Sequence, residues 1–256
     1  MLSIEQIAAF EADGFVGPVP ALDPSVASRY RREVEGFIDA KGGRAESFAK
    51  GALRTKAHLR CPALLELVRE PAILDAVEQL IGPDVLCRSS SIFMKEPGDA
   101  AYVPWHQDLR YWYLDPPDLV TAWIALADST IENGAVEMLA ASHRGPLLPH
   151  IQANEPASLL NNNQRITEGI EPTRVRTMLL KAGEMSIHHV RTAHGSPPNR
   201  SGSRRLGVAV RYVAPHVRRT DGRRESALLM RGRDRYGHYD AEPGYPGAAK
   251  PATAAS

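Results

Sequence analysis

The sequence has few cysteines, little net charge and no long apolar run. Its two cysteines, Cys61 and Cys87, cannot form a disulfide framework, and no cysteine cluster has zinc-ligand spacing. Lysine and arginine total 31 against 30 acidic residues, which excludes a protein that mainly coats nucleic acid or an anionic membrane. No segment approaches the roughly 18 apolar residues of a membrane span, and the acidic start lacks a signal-peptide core. We therefore expect a cytoplasmic protein with no nucleic-acid or membrane partner.

The composition is typical of a globular domain. The 256 residues are 43% hydrophobic and 24% charged, which suits one sizeable domain with its own core. We predict that residues 1–245 form this domain and that the tail at 246–256, rich in Pro, Gly, Ala, Ser and Thr, is disordered. A monomer and a homodimer both remain open.

The first third of the chain, residues 1–82, has the pattern of a helical layer. Ser3 and Gln6 form a capping box before a short helix that should end near Gly14. Asp23 as N-cap, followed by Pro24, predicts a second helix. Further helices are predicted over 62–69 and 71–81.

From Val85 the pattern changes to short β-rich runs separated by turn clusters such as Glu132-Asn133-Gly134. Strands without intervening helices favour a sandwich or barrel, so we predict an α+β fold with a β-core over 85–215. Residues 149–176 lack clear periodicity and are longer than an ordinary connection, which predicts a lid-like loop whose Asn161-Asn162-Asn163-Gln164 stretch is mobile. The predicted strands cover 85–95, 119–127, 135–141, 177–180, 184–189 and 206–213.

Three side chains could hold a metal ion. If the segment around Trp105 is extended, His106 and Asp108 are two residues apart and project from the same face. His194 would be the third ligand. Two imidazoles and one carboxylate on one side of a cation suit non-haem Fe(II) and leave positions for a chelating co-substrate and O₂. A His-x-Asp alone is common, so spacing by itself leaves metal binding open.

Three motifs together resemble the phytanoyl-CoA dioxygenase-like family of Fe(II)/2-oxoglutarate oxygenases. They are Trp105-His106-Gln107-Asp108, then the run 121–128 with Glu132-Asn133-Gly134-Ala135 and Ser142-His143-Arg144, then His194-Gly195-Ser196-Pro197 with Arg204-Arg205. The resemblance covers roughly residues 5–215. It implies a double-stranded β-helix, a jelly-roll or cupin-like core flanked by the N-terminal helices, in agreement with the strand pattern.

The resemblance also implies roles for individual residues. His106, Asp108 and His194 correspond to the iron ligands, and Arg205 to the arginine that pairs with the far carboxylate of 2-oxoglutarate. Arg204 is the alternative, because neighbours on a strand face opposite sides. Ser196 would join Arg205 at that carboxylate or would only stabilise the local turn. Trp123 would line the pocket or simply fill the core.

Other side chains near these motifs have weaker assignments. Side chains alternate between the two faces of a strand, so either His188 or His189 should point inward, as a core residue or as a neighbour of the candidate ligands. The aromatic residues Trp105, Tyr111, Trp112 and Tyr113 should shape a substrate pocket or pack against the helical layer. The 11 arginines between Arg200 and Arg235 form a solvated face by default, and those at the barrel mouth would favour an anionic substrate.

The predicted function is oxidation of a small molecule coupled to decarboxylation of 2-oxoglutarate, with Fe(II) as cofactor, O₂ as oxidant and succinate and CO₂ as products. Hydroxylation as a biosynthetic tailoring step is the preferred outcome. The chain also resembles carrier-dependent iron halogenases, but those carry Ala or Gly where this chain has Asp108, and their halide takes the carboxylate's place. A desaturase or cyclase and a non-catalytic β-barrel binding protein remain alternatives, and the sequence does not identify the substrate.

Overall fold

A computed structural model describes residues 1–41, 55–153, 155–160 and 164–242 of the chain. The predicted mobile residues Asn161–Asn163 and the predicted tail at 246–256 lie outside the described residues. Within them, four α-helices are α1 (Ile4–Asp13), α2 (Pro24–Ala40), α3 (Pro62–Leu67) and α4 (Pro71–Ile81). None of these helices has the length and apolar character needed to span a bilayer.

The helix boundaries follow from local signals in the sequence. The Ser3 hydroxyl accepts a hydrogen bond from the Gln6 amide, and the Gln6 side chain accepts one from the Ser3 amide, which completes the predicted capping box. Helix α1 is followed by Gly14 at a φ of +85°, a left-handed conformation that glycine adopts without steric cost. Helices α2, α3 and α4 each have proline in the first turn, where its missing N–H leaves no bond unmade.

Two facing β-sheets form the body of the protein. The larger sheet has the strand order β1-β10-β5-β12-β2-β14-β15, and the smaller sheet has the order β3-β11-β6-β9. The pairs β13-β4 and β7-β8 form two-stranded sheets. The strands are β1 (Phe15–Pro20), β2 (Val85–Lys95), β3 (Val103–His106), β4 (Leu114–Asp115), β5 (Leu119–Ala125), β6 (Val136–Leu139), β7 (His150–Gln152), β8 (Gln164–Ile166), β9 (Val175–Met178), β10 (Glu184–His189), β11 (His194–Ser196), β12 (Arg205–Val213), β13 (Arg218–Arg219), β14 (Glu225–Arg231) and β15 (Tyr239–Ala241).

The larger sheet separates the helical layer from the interior of the jelly roll. On β12, Val208 and Val210 pack into the same core as Tyr30 of α2, whereas Ala209 packs with Trp123 and Met138 on the other face. Alternate residues of each strand therefore face either the helices or the smaller sheet. The predicted α+β fold with a jelly-roll core and N-terminal helices is confirmed.

Three strands of the larger sheet were not predicted. β1 contains Pro18 and Pro20, which donate no backbone hydrogen bond, and it lies at the edge of the sheet, where proline is tolerated. β14 and β15 lie beyond the predicted β-core of 85–215 and extend the opposite edge. The segment 149–176 is not wholly irregular, because it contains the paired strands β7 and β8 and the start of β9 at Val175.

Candidate metal centre and active site

The antiparallel pairing of β3 with β11 brings the two ligand motifs together. His106 ends β3, His194 begins β11, and the two residues are direct partners in the ladder. Gln107 is extended, with φ −121° and ψ 123°, so Asp108 projects to the same side as His106 before the chain turns into a 3₁₀-helix at Asp108–Tyr111. Residues that are 88 positions apart thus share one point inside the barrel.

The three candidate ligands form a compact buried cluster. One donor atom from each of His106, Asp108 and His194 lies within 4.8 Å of the other two. The His106 Nε2 and Asp108 Oδ1 atoms are 3.4 Å apart. Each histidine Nδ1 lies 2.9 Å from the backbone carbonyl two residues earlier, that of Pro104 or Thr192. Because a carbonyl only accepts, Nδ1 carries the proton and the bare Nε2 is left for a metal ion.

The charge state of the cluster also suits a cation. Burial would raise the pKa of Asp108, but the close His106 imidazole and the nearby His194 and Arg211 groups hold it below the ordinary value. Thr121 Oγ1 donates a hydrogen bond to Asp108 Oδ2 at 3.3 Å. Burial lowers the pKa of His194 well below its usual range. An ionised carboxylate beside a neutral imidazole is the state in which such residues bind metal.

His188 is the inward-facing member of the His188-His189 pair. Its ring centre is 4.3 Å from that of His194, and neither of its nitrogens has a hydrogen-bond partner among the described residues. Burial lowers the pKa of His188 to about 4. His189 instead approaches the His143 ring. His188 is therefore an uncharged wall of the cavity, next to the ligands.

Arg205 is a buried cation with no acidic partner among the described residues. Its side chain is 1% exposed, and Nη1 donates to Ser196 Oγ at 2.7 Å and to the Gly134 carbonyl. Its Nε has no partner, and it makes no ion pair within the part of the chain that the structure describes. Burial lowers the pKa of Arg205 to about 10, which still leaves it charged at neutral pH.

Trp123 closes one side of the Arg205 pocket. The guanidinium carbon lies 4.9 Å from the centre of the indole ring, a distance typical of a cation–π contact. A Cβ atom at residue 207 of β12 would collide with this ring, so only glycine at that position allows Trp123 to lie flat across the strand. Trp123 thus both lines the cavity and packs in the core, the two interpretations that the sequence left open.

Lys95 is a polar residue of this pocket that the sequence did not single out. It is fully buried, lies opposite Arg205 in the β2–β12 ladder, and donates from Nζ to Ser196 Oγ at 2.5 Å. Burial and the charge of Arg205 lower its pKa to about 6. A lysine at the end of a β-rich run was the available signal, but its burial follows only from pairing with a strand about 110 residues later in the chain.

A larger cavity opens beside the three candidate ligands. It has a volume of about 530 Å³, and we call it the outer cavity. Of the four aromatic residues predicted to shape a pocket, Trp112 lines the outer cavity. The other three do not: Tyr111 packs against His150, Trp105 packs with the core of the smaller sheet, and Tyr113 is exposed. Its lining comprises Thr55, Lys56, Arg88, Ser89, Ser91, Phe93, Asp108, Trp112, Leu159, Leu160, Gln164, Arg211, Arg224, Glu225 and Ser226.

Comparison with known proteins finds oxygenases among the proteins similar to this chain. A sequence model described as phytanoyl-CoA dioxygenase matches residues 10–207. A probable alpha-ketoglutarate-dependent hypophosphite dioxygenase of Stutzerimonas stutzeri is 32% identical over 159 residues, 61% of this chain and 55% of that protein. The chain thus spans about half the length of the first curated relatives it matches.

Solved structures extend the similarity to the whole fold. The apo form of the non-heme monooxygenase ThoJ superposes with a TM-score of 0.82 at 34% identity, over 94% of this chain and 88% of ThoJ. CytC3 with Fe(II) and alpha-ketoglutarate gives 0.70 at 25% identity, over 96% and 95% of the two chains.

Proposed function

Because the chain belongs to the phytanoyl-CoA dioxygenase family, we propose that it hydroxylates a small molecule, consuming O₂ and 2-oxoglutarate and releasing succinate and CO₂. The convergence of His106, Asp108 and His194 at one buried point carries this proposal. One oxygen atom of O₂ would enter the substrate C–H bond and the other would enter succinate, so atoms and electrons balance without a further reductant.

The donor set fits Fe(II) as the resident metal. Two neutral imidazole nitrogens and one carboxylate on one side of the ion form the facial arrangement of non-haem iron oxygenases. Iron bound there would supply the site at which O₂ is activated. The Pro104 and Thr192 carbonyls would hold the two rings in the ligating tautomer, and Thr121 would fix the carboxylate.

The pocket of Arg205 fits the far carboxylate of 2-oxoglutarate. A buried guanidinium without an acidic partner is costly, and a bound carboxylate would satisfy its free Nε. Lys95 donates from Nζ to the Ser196 hydroxyl and to the Ser196 and Pro197 carbonyls, so it would support the pocket rather than contact the carboxylate. Ser196 already accepts hydrogen bonds from Arg205 and Lys95 and donates to Gly134, so its main role would be to position these two donors.

The remaining residues would shape the pocket and exclude water. Phe93, Val136 and Trp123 line the apolar side of the metal cavity, where water would otherwise reach the oxidant. Leu159, Leu160 and Gln164 bring the segment 149–176 to the outer cavity, which supports our proposal that this segment acts as a lid.

The proposal is tested by measuring succinate and CO₂ with Fe(II), 2-oxoglutarate and O₂, with and without a chelator. We expect succinate release that requires iron and is lost in Asp108→Ala but retained in Asp118→Ala, since Asp118 pairs with His216 away from the cluster. A non-catalytic binding protein would give no more succinate with iron than without it, and that result would contradict the proposal.

A further inference from the structure

The outer cavity adjoins the small cavity that contains the three candidate ligands. Phe93, Asp108 and Arg211 line both the outer cavity and the small cavity around the three candidate ligands. A molecule in the outer cavity would therefore meet the cluster on the side of Asp108 and Arg211, away from the Arg205 pocket.

Most cations around the outer cavity already have acidic partners. Arg88 makes two hydrogen bonds to Glu225, at 2.6 and 2.9 Å. Lys56 pairs with Glu242, and Arg224 pairs with Asp240 at 2.9 Å. These charges are compensated within the protein.

Arg211 is the exception among the described cations that line the outer cavity. Its Nη1 donates to Ser91 Oγ at 2.7 Å and to the Ala209 carbonyl at 3.3 Å. Within the described ranges it makes no ion pair, and its buried Nε has no partner. The half-buried guanidinium lies about 6 Å from the ring centres of both Phe93 and Trp112, so aromatic side chains flank it at the cavity wall. Burial lowers the pKa of Arg211, and the charge of Asp108 opposes that shift.

Arg211 and Arg205 share one strand and one face of it. They are six residues apart on β12, which separates their backbones by roughly 20 Å, because a strand rises about 3.3 Å per residue. Both line the cavity that contains the metal ligands. The two arginines therefore approach the cluster from opposite ends, and an acid held by Arg205 leaves Arg211 free for a different ligand.

We propose that Arg211 binds an anionic group of the substrate, a carboxylate or a phosphonate, and so places the rest of the substrate between Phe93 and Trp112 beside Asp108. This inference rests on the proposed oxygenase function. A planar guanidinium with an unused N–H matches either oxyanion, and the flanking rings offer apolar surface to the rest of the substrate. The substrate is then a small organic acid rather than a neutral molecule.

The test uses sets of three compounds on one carbon skeleton: N-acetylated amino acids, the corresponding phosphonates, and the corresponding primary carboxamides. Succinate release above the level without substrate is measured for each compound with the parent, Arg211→Gln and Arg211→Lys. Arg176→Gln on β9 is the control, because Arg176 is exposed and lies on the smaller sheet. The Kd for 2-oxoglutarate is measured in the same variants.

We expect the acids to stimulate succinate release and their amides to fail. Arg211→Gln should raise KM for the acids about 30-fold or more, with a smaller rise in Arg211→Lys and none in Arg176→Gln. The class of acid that stimulates succinate release, carboxylate or phosphonate, identifies the anion that Arg211 binds. Stimulation by amides equal to that by acids, no stimulation by any acid, or a loss in Arg211→Gln confined to 2-oxoglutarate affinity would each overturn the inference. Absence of iron-dependent succinate from the parent would instead refute the proposed function.

Discussion

Arg204 and Arg205 are adjacent in the chain and lie on opposite sides of the larger sheet. Arg204 forms a two-pronged ion pair with Glu96, with both hydrogen bonds at 3.0 Å, and also pairs with Glu35 of α2. Arg205 is buried between the sheets, and its acceptors in the described part of the chain are the neutral Ser196 and Gly134. One arginine is therefore a partly exposed structural group, and the other is a cation available to a ligand.

The first prediction concerns the affinity for 2-oxoglutarate. Arg205→Leu removes the charged partner of a buried carboxylate, which typically costs about 2–5 kcal/mol, or roughly 30-fold or more in Kd. Arg204→Leu breaks ion pairs that are partly exposed to solvent, and such a pair stabilises the fold by about 0–1 kcal/mol. This variant should therefore leave the Kd for 2-oxoglutarate nearly unchanged. Calorimetric titration of both variants checks the ranking, and the reverse order would mean that Arg204 faces the co-substrate.

A second prediction concerns stability in acid. Burial and the nearby His143 and Arg191 lower the pKa of His189 to about 4, and its Nδ1 accepts a hydrogen bond from the Arg191 amide that protonation would break. The unfolded chain takes up this proton near pH 6.5, whereas the folded chain does not until about pH 4. The stabilisation from neutral His189 is thus complete above pH 6.5 and is lost as the pH falls towards 4.

The slope of the free energy of unfolding against pH measures how many more protons the unfolded chain binds than the folded chain. His189→Gln should lower this difference by about one proton over that interval. Urea unfolding of the metal-free parent and variant at several pH values between 7.5 and 4 measures the two slopes. Equal slopes would show that His189 titrates alike in the folded and unfolded chains.

The proposed lid can be examined by limited proteolysis. Leu159 and Leu160 line the outer cavity, so a ligand there would pack against the segment 149–176 and oppose its opening. We expect cleavage within 149–176 to slow when iron, 2-oxoglutarate and a substrate are present together, while cleavage elsewhere is unaffected. Cleavage at the same rate with and without these ligands would count against a lid.

Asp108 separates a hydroxylase from a halogenase. It supplies the one negative charge of the candidate ligand set and, as a ligand, would fill the position that a halide would otherwise occupy. Asp108→Ala should weaken iron binding and abolish most hydroxylation, with at best a trace of chlorinated product in high chloride. Mass spectrometry of products identifies the outcome. A chiefly chlorinated product from the parent enzyme would contradict the hydroxylase assignment.

Local patterns were sufficient for the ligand candidates and for much of the fold. The His106-x-Asp108 spacing, the capping box at Ser3 and strand alternation at Arg204-Arg205 all depend on neighbours in the chain. Alternation likewise predicted that His188 or His189 points inward. The environments of Lys95 and Arg211 were not predictable in this way, because each depends on which strands become neighbours. Arg211 lies opposite both Ser89 of β2 and Thr121 of β5, and no short sequence window contains those pairings.

The most direct test of the account is an anaerobic titration of the parent and of His194→Ala with Fe(II) and 2-oxoglutarate, followed by visible absorption. We expect one Fe(II) per chain and the weak charge-transfer band of the chelate in the parent, and loss of tight iron binding and of the band in His194→Ala. If His194→Ala binds iron and develops the band as well as the parent does, His194 is not a ligand, and the metal centre must be reassigned with His188 as the nearest remaining histidine.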